Sequence, residues 1–410
     1  MVATTPEHTV QASDVERARR AVADVVRHTP VLPSLTLSER TGAEVVLKAE
    51  NLQRTGSFKI RGALNKLAAL GERCARGVTA GSAGNHAWAC AQAARSRGVP
   101  CEVFMPIEAL ISKIEGCRGL GAVVHIGGGS VDECVALARA RADEAGMAFV
   151  HPFDDADVIA GQGTLGLELL DDIPDLAKIV VPVGGGGLAS GLAIAVKARR
   201  PDVEVVGVQV DTVAAFPDSL RRGQPVGVAA ALTIADGIAV KRPGDLTLPL
   251  VRRWLDDVVV VPEDDVAEAI VVCMERAKLV VEGAGAVGVA ALLGGQTRAA
   301  RRGTTCVVLS GGNVDAGLLA TVARRHETEA GRRLVFFTRV PDRPGSLARL
   351  LSLVGETGAN LIHVEHLREG IDLHVRETAV QLTLETRGRE HADDVLRCVR
   401  EAGYESDVVG

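Results

Sequence analysis

The sequence predicts an α/β protein in two parts, a large region built on parallel sheet and a small C-terminal βαββαβ module. Three observations predict it. A chain of 410 residues is too long for one ordinary domain and suits two or three, with 47% apolar residues to fill their cores. From about residue 76 onward, short apolar runs alternate with helical patterns, which implies βαβ units covered on both faces. Beyond residue 334 the order becomes strand, helix, strand, strand, helix and a short final strand, a ferredoxin-like arrangement.

The elements follow in order. Residues 13–26 carry Val15, Ala18, Val22 and Val25 at helical spacing, with Ser13 as cap, and stop before Thr29-Pro30. Residues 44–49 read as a strand and 60–70 as a helix that begins just after Lys59. A brief strand at 77–80 leads through Ser82-Ala83-Gly84-Asn85-His86 into an alanine-rich helix ending near residue 97. Strand 101–105, helix 109–118, strand 122–126 and helix 131–145 repeat the pattern, so residues 76–151 form one small lobe. A turn at 151–155 precedes a helix at 158–170, and the strand at 179–183 runs into four consecutive glycines, Gly184 to Gly187. Strands at 203–210, 258–261 and 305–309, a helix at 264–278, and loops at 233–240 and 282–286 complete a region spanning residues 1–325. Residues 326–333 read as a linker and 334–410 as the module: strand 334–340, helix 346–356, strands 360–367 and 373–385, helix 392–402 and a last strand at 405–409.

Composition narrows the function. A net charge of -6 without a basic block argues against nucleic acid as a partner. The N-terminal residues carry charges throughout and lack the apolar core of a secretory signal. The longest uncharged run, 179–196, is broken by Pro182 and the glycines, which argues against a membrane span. Eight cysteines without metal-ligand spacing point to reduced thiols, and a cytoplasmic protein is the expectation.

Lys59 lies between Phe58 and Ile60, an amine with apolar neighbours. Desolvation disfavours an ammonium ion, so such an amine can be a neutral nucleophile near pH 7. The Ser82–His86 turn brings backbone N–H groups to a helix start, a pocket for a carboxylate. The glycines let amides wrap a phosphate, and their consecutive order departs from the G-x-G-x-x-G spacing of dinucleotide folds. Ser310 ends a central strand, where ligands of open α/β sheets bind.

Seven segments in this order, ENLQRTGSFKIRGA, SAGNHA, HPFDDADVIAGQGT, the four-glycine loop, TIADGIAV, EGAGA and SGGN, resemble the threonine dehydratases, fold type II enzymes dependent on pyridoxal phosphate. The resemblance covers nearly the whole chain. It implies that Lys59 holds the cofactor, that Asn85 binds its ring hydroxyl, that Gly184, Gly185, Gly186, Gly187 and Leu188 hold its phosphate, and that Ser310 faces its pyridine nitrogen. Phe58, Gly237 and Glu282 are implied to line the ring, while Ser82, Ala83, Gly84, Asn85 and His86 form the substrate carboxylate pocket. A serine hydroxyl at the pyridine nitrogen makes a weaker electron sink than a carboxylate, which suits β-elimination. The implied reaction converts threonine to 2-oxobutanoate and ammonia, or serine to pyruvate and ammonia, with Lys59 as base. Serine racemases resemble the same pattern but use a serine as second base where this chain has Ala83, which favours elimination. Hydroxyaspartate dehydratase, and a non-catalytic amino-acid sensor, are the alternatives.

The chain departs from the family at Leu110, often proline, and at Trp88, commonly glutamine. Gln209 stands where cation-binding members carry an acidic side chain, with Asp211 nearby, and no metal is expected. DRPGSL and Gly358-Ala359-Asn360 make the module resemble an ACT domain. That resemblance implies an amino-acid effector, such as isoleucine or valine, at Asp342, Gly345, Ser346, Leu347 and Asn360, and a homodimer or homotetramer.

Overall fold

The computed structural model describes residues 10–229, 231–368 and 376–409. Two compact units divide the chain, Met1–Val314 and Asp315–Gly410.

In the first unit, α1 (Ala12–Val22) leads to β1 (Val31–Pro33), α2 (Leu35–Thr41), β2 (Val45–Ala49) and α3 (Lys59–Leu70). The small lobe follows as β3 (Val78–Gly81), α4 (Asn85–Arg97), β4 (Cys101–Met105), α5 (Ile111–Gly119), β5 (Val123–Ile126), α6 (Val131–Ala145) and β6 (Ala148–Phe149). The chain then returns through α7 (Ala156–Asp172), β7 (Leu176–Pro182), α8 (Gly187–Arg199), β8 (Glu204–Val210), α9 (Phe216–Arg222), α10 (Thr247–Trp254), β9 (Asp257–Val261), α11 (Glu263–Val272), α12 (Gly283–Leu293) and β10 (Thr304–Leu309). The large-lobe sheet runs β1-β2-β10-β7-β8-β9, parallel except for β1 at its edge. The small-lobe sheet runs β5-β4-β3-β6 and is parallel throughout. Strands β3, β7 and β10 each end immediately before or one residue before a motif, so three motif loops open at the carboxyl ends of the sheets.

Helices α3 and α7 and strand β2 are tied together by a buried ion network. Arg61, fully buried on α3, pairs with Glu50 at 2.8 Å and with Glu168 of α7 at 2.6 Å. Lys48 of β2, also fully buried, meets Glu168 at 2.9 Å and Asp172 at 3.0 Å. Burial works against the Arg61 charge, but the two carboxylates more than offset it and hold the guanidinium ionised. Burial likewise pushes Glu168 up, and Arg61 with Lys48 brings it back below the usual carboxylate range. Each charge has a partner, the condition under which buried ions are tolerated.

The second unit comprises α13 (Ala316–Glu329), β11 (Arg333–Pro341), α14 (Ser346–Glu356), β12 (Asn360–Leu367), β13 (Glu377–Glu385), α15 (Arg389–Glu401) and β14 (Ser406–Val408). Its antiparallel sheet is ordered β12-β13-β11-β14, and Phe336, Leu350, Leu382 and Val395 centre its core. The βαββαβ order is thus present.

Several expectations need correction. The boundary at 325/326 and the linker at 326–333 fall inside and just after α13, because Asp315 caps that helix through the amides of Gly317 and Leu318 and Val322 is buried on it. Its charged residues pair along the helix, as Arg325 does with Glu329 at 2.9 Å, so polarity marks a solvent face and not a linker. Helix α1 is capped at Gln11, whose amide donates to Asp14, and stops at Val22. The expected helix 264–278 is α-helical only to Val272 and ends in a π-helical turn, Cys273–Ala277. The strand start expected at 373 lies outside the described residues. Elements such as α2, α9 and α10 have no counterpart in the sequence reading. Seven cysteines are buried and Cys398 is half-buried, all free thiols. Among the described residues no helix is long and apolar enough to cross a membrane.

Candidate active site

Lys59 is the first residue of α3, and its half-buried side chain lines a cavity. The amine donates to the carbonyl of Pro152 at 2.8 Å and lies 5.3 Å from the centre of the Phe58 ring. Burial brings its pKa down to about 8, against weaker upward pulls from Cys90 and Glu282. A sizeable neutral fraction therefore exists just above neutrality, the state a nucleophile or base requires.

The glycine loop leaves β7 and opens α8, whose first amides have no partners within the helix. A Cβ on Gly185 would lie 2.2 Å from the Phe153 ring, and Gly186 has φ +93. Only glycine fits both demands. Thr247 anchors the loop by donating from its hydroxyl to the Gly185 carbonyl at 2.6 Å. Gln209, fully buried, donates to the Val183 carbonyl at 3.2 Å and accepts from the Phe216 amide at 2.9 Å. Its amide is thus spent on holding the loop. Among the described residues, no three His, Cys, Asp or Glu side chains gather as a metal site would need.

The Ser82 hydroxyl accepts from the Gly84 amide at 3.1 Å, shaping the turn that opens α4. Asn85 donates to Glu282 at 2.7 Å and receives a bond from Asn313 at 2.7 Å. Burial first, and the Asp236 charge second, push the Glu282 carboxyl up to about 7. His86 turns its Nε2 to the Val150 carbonyl at 2.9 Å, and burial with Lys59 nearby drops its pKa to about 3. It is a neutral ring at all working pH. Lys113 of α5 meets Asp236 at 3.0 Å, tying the small lobe to the 233–240 loop at the cavity. Ser310, buried, follows β10, and its carbonyl accepts from the Phe58 amide at 3.1 Å.

Every catalytic, cofactor and substrate residue expected from the sequence lines one cavity of about 350 Å³. The effector set divides. Asp342, Gly345, Ser346 and Leu347 cluster where β11 meets α14, with Asp342 paired to Arg368 at 2.9 Å. Asn360 pairs across β13 with Glu385, which faces Arg333 at the opposite end of β11 from Pro341.

Residues 22–311 match the model of the pyridoxal-phosphate dependent enzyme family. The chain belongs to this family. An L-threonine ammonia-lyase of Thermotoga maritima is 45% identical over 402 residues, covering 98% of this chain and 100% of its own. Maize serine racemase superposes with a TM-score of 0.73 at 34% identity, covering 78% of this chain and 99% of its own. The processed form of threonine deaminase isoform 2 from Solanum lycopersicum gives a TM-score of 0.71 at 30% identity, covering 78% of this chain and 98% of its own.

As a pyridoxal-phosphate dependent enzyme, the chain offers what the cofactor needs. A desolvated amine stands ready for an aldehyde, a side-chain-free loop at a helix N-terminus suits a phosphate dianion, and a hydroxyl sits at a strand end. The residues fit the group. Four contributors escaped the sequence reading. Pro152 receives the Lys59 bond, Phe153 floors the glycine loop, Thr247 ties it, and Asn313 holds Asn85. Three belong to motifs already quoted, HPFDD and SGGN, whose polar and turn residues were the available signal; Thr247 lies in no motif.

Proposed function

We propose that this enzyme is an L-threonine ammonia-lyase that eliminates the β-hydroxyl of L-threonine and releases 2-oxobutanoate and ammonia, with L-serine as a second substrate. The name of the Thermotoga maritima relative supports the substrate, since that relative matches from end to end. When bound, pyridoxal phosphate supplies an aldehyde that engages amines and a ring that draws electrons from the bond being broken. The observation that carries the reaction type is the Lys59 amine, desolvated and poised near neutrality. Its nitrogen takes the α-proton of the substrate. The Ser82 hydroxyl, the Ala83 amide and the first amides of α4 hold the substrate carboxylate, in a turn whose shape the Gly84 amide fixes by donating to Ser82. The glycine-loop amides hold the phosphate. Ala83 lines the cavity with a methyl group and has no proton to return to the substrate, which supports elimination over racemisation.

In the second unit, the Asp342–Leu347 turn at the start of α14 takes an amino-acid effector, with Asn360 contributed at a second position, and the chain assembles as a homodimer or homotetramer. The test is 2-oxoacid release from L-threonine, L-serine and 3-hydroxyaspartate side by side, with and without isoleucine or valine. Threonine is expected to be turned over with the highest kcat/KM. D-Serine accumulating faster than pyruvate would reverse the assignment, and an activity and melting temperature unmoved by either amino acid would remove the effector site.

A further inference from the structure

A run of side-chain amides at the cavity has a direction fixed by the backbone. Asn313 Nδ2 donates to the Thr55 carbonyl at 2.8 Å and to Asn85 Oδ1 at 2.7 Å, and Asn85 Nδ2 donates to Glu282 Oε1 at 2.7 Å. A backbone carbonyl can only accept, so the Asn313 atom facing it must be the NH₂ group. That NH₂ group spends both hydrogens, one on Thr55 and one on Asn85. Asn85 is thereby obliged to turn its oxygen toward Asn313 and its NH₂ toward Glu282. One hydrogen of that NH₂ goes to Glu282, and the other is left for the cavity that both residues line.

The backbone that presents the Thr55 carbonyl is itself unusual. Thr55 has φ 63, a left-handed conformation that Lys278 alone shares among the described non-glycine residues, and Gly56 follows with φ 70. Such strain persists where the surroundings demand it. A Cβ on Gly56 would lie 2.2 Å from Asn313 Oδ1, so glycine makes the room that Asn313 occupies. The loop and the strand end are also bonded main chain to main chain, Gly312 to Gly56 at 2.9 Å and Phe58 to Ser310 at 3.1 Å. The SGGN and RTGSFK motifs thus form one frame behind Asn85.

We propose that Asn313 is a positioning residue that locks the Asn85 carboxamide with its NH₂ edge toward the cavity, so that Asn85 donates to the ring oxygen of the cofactor and does not accept from it. The proposal rests on the reading of Asn85 as the partner of that oxygen. A fixed donor favours the ionised ring oxygen over the protonated one, because a hydroxyl there would point hydrogen at hydrogen.

The test is a pH titration of the visible absorption of the holoenzyme. Asn313→Asp replaces a double donor by an acceptor of the same shape, which repels the Thr55 carbonyl and releases Asn85 to turn. The expected result is a rise of about one unit in the pH midpoint of the band, a tenfold change in proton affinity, with a roughly tenfold weaker hold on pyridoxal phosphate. Gly56→Ala pushes on Asn313 from the far side and is expected to move the midpoint in the same direction, which covers the case in which Asn313→Asp does not fold. A merely structural Asn313 would lower the melting temperature and leave the midpoint in place, and that outcome overturns the proposal. Borohydride reduction and peptide mapping of the unmodified protein separate the two readings. An adduct on Lys59 with an unmoved midpoint in the variants sinks the lock alone, whereas no adduct sinks the cofactor reading and the lock with it.

Discussion

An amine that anchors a cofactor and later acts as a base must give up its proton near neutrality, and Lys59 reaches that state through burial. The rate at which the cofactor-free protein captures pyridoxal phosphate should rise about tenfold per pH unit below pH 8 and level off above it. Stopped-flow absorbance reads this directly, and a flat profile from about pH 6.5 to 9 would contradict a desolvated nucleophile. Glu282 is the mirror case. Its folded pKa of about 7 lies above the ordinary value of 4.5, so the carboxyl stabilises the fold least once it ionises, and stability drawn from it falls as pH rises from 4.5 to about 7. Glu282→Gln keeps an acceptor for Asn85 and removes the buried charge. The cofactor-free variant should gain about 1–3 kcal/mol over the parent at pH 8 and little at pH 5, by urea denaturation. At this scale the sequence was informative where chemistry is local. Lys59 declared itself by its apolar neighbours and Gly184–Gly187 by their run, but Thr247 and Asn313 act through atoms 62 and 228 residues away. No window along the chain contains such pairs.

The glycine loop shows how an element is dictated from beneath. Phe153 leaves no space above its ring for a side chain at Gly185, so Gly185→Ala should cost about 1–3 kcal/mol and weaken cofactor binding. Trimming the floor with Phe153→Leu in the same chain should restore part of both, measured by denaturation and by cofactor titration. The α3–α7 contact makes a stronger case. Arg61→Met strands the buried Glu50 without a cation and leaves Glu168 to Lys48 alone, and should lower stability by about 3–5 kcal/mol in urea, more than loss of an exposed pair such as Arg325 with Glu329. Elements with an apolar period or a capping signal were legible to within a few residues, as β4, α6, α14 and β12 show. Helix α13 escaped because charge is concentrated in its second half, at Arg324, Arg325, Glu327 and Glu329, and periodicity of burial had a single deeply buried position, Val322, to express it. Short α9 and α10 owe their form to tertiary partners. The Gln209 side chain receives the Phe216 amide, and the Asp154 carboxylate receives the amides of Asp245, Leu246 and Thr247.

On the scale of the whole molecule, the second unit has a sheet and a core of its own, apart from the two sheets of the first, which implies two folding units. A chain ending at Val314 should fold and keep the visible band of bound cofactor, while losing any response to isoleucine or valine. A fragment ending at 325, where the sequence drew the border, would carry most of α13 stripped of β11 and should aggregate more readily.

The distribution of sulfur has a practical consequence. Seven of eight thiols are buried, and burial holds Cys90, Cys101, Cys117, Cys273 and Cys306 well above the usual thiol range, so they react sluggishly while the fold is intact. A maleimide dye should therefore label native protein chiefly at Cys398, on α15, and all eight sites in guanidinium. Without a single engineered change, the molecule offers a fluorescent reporter in its C-terminal unit.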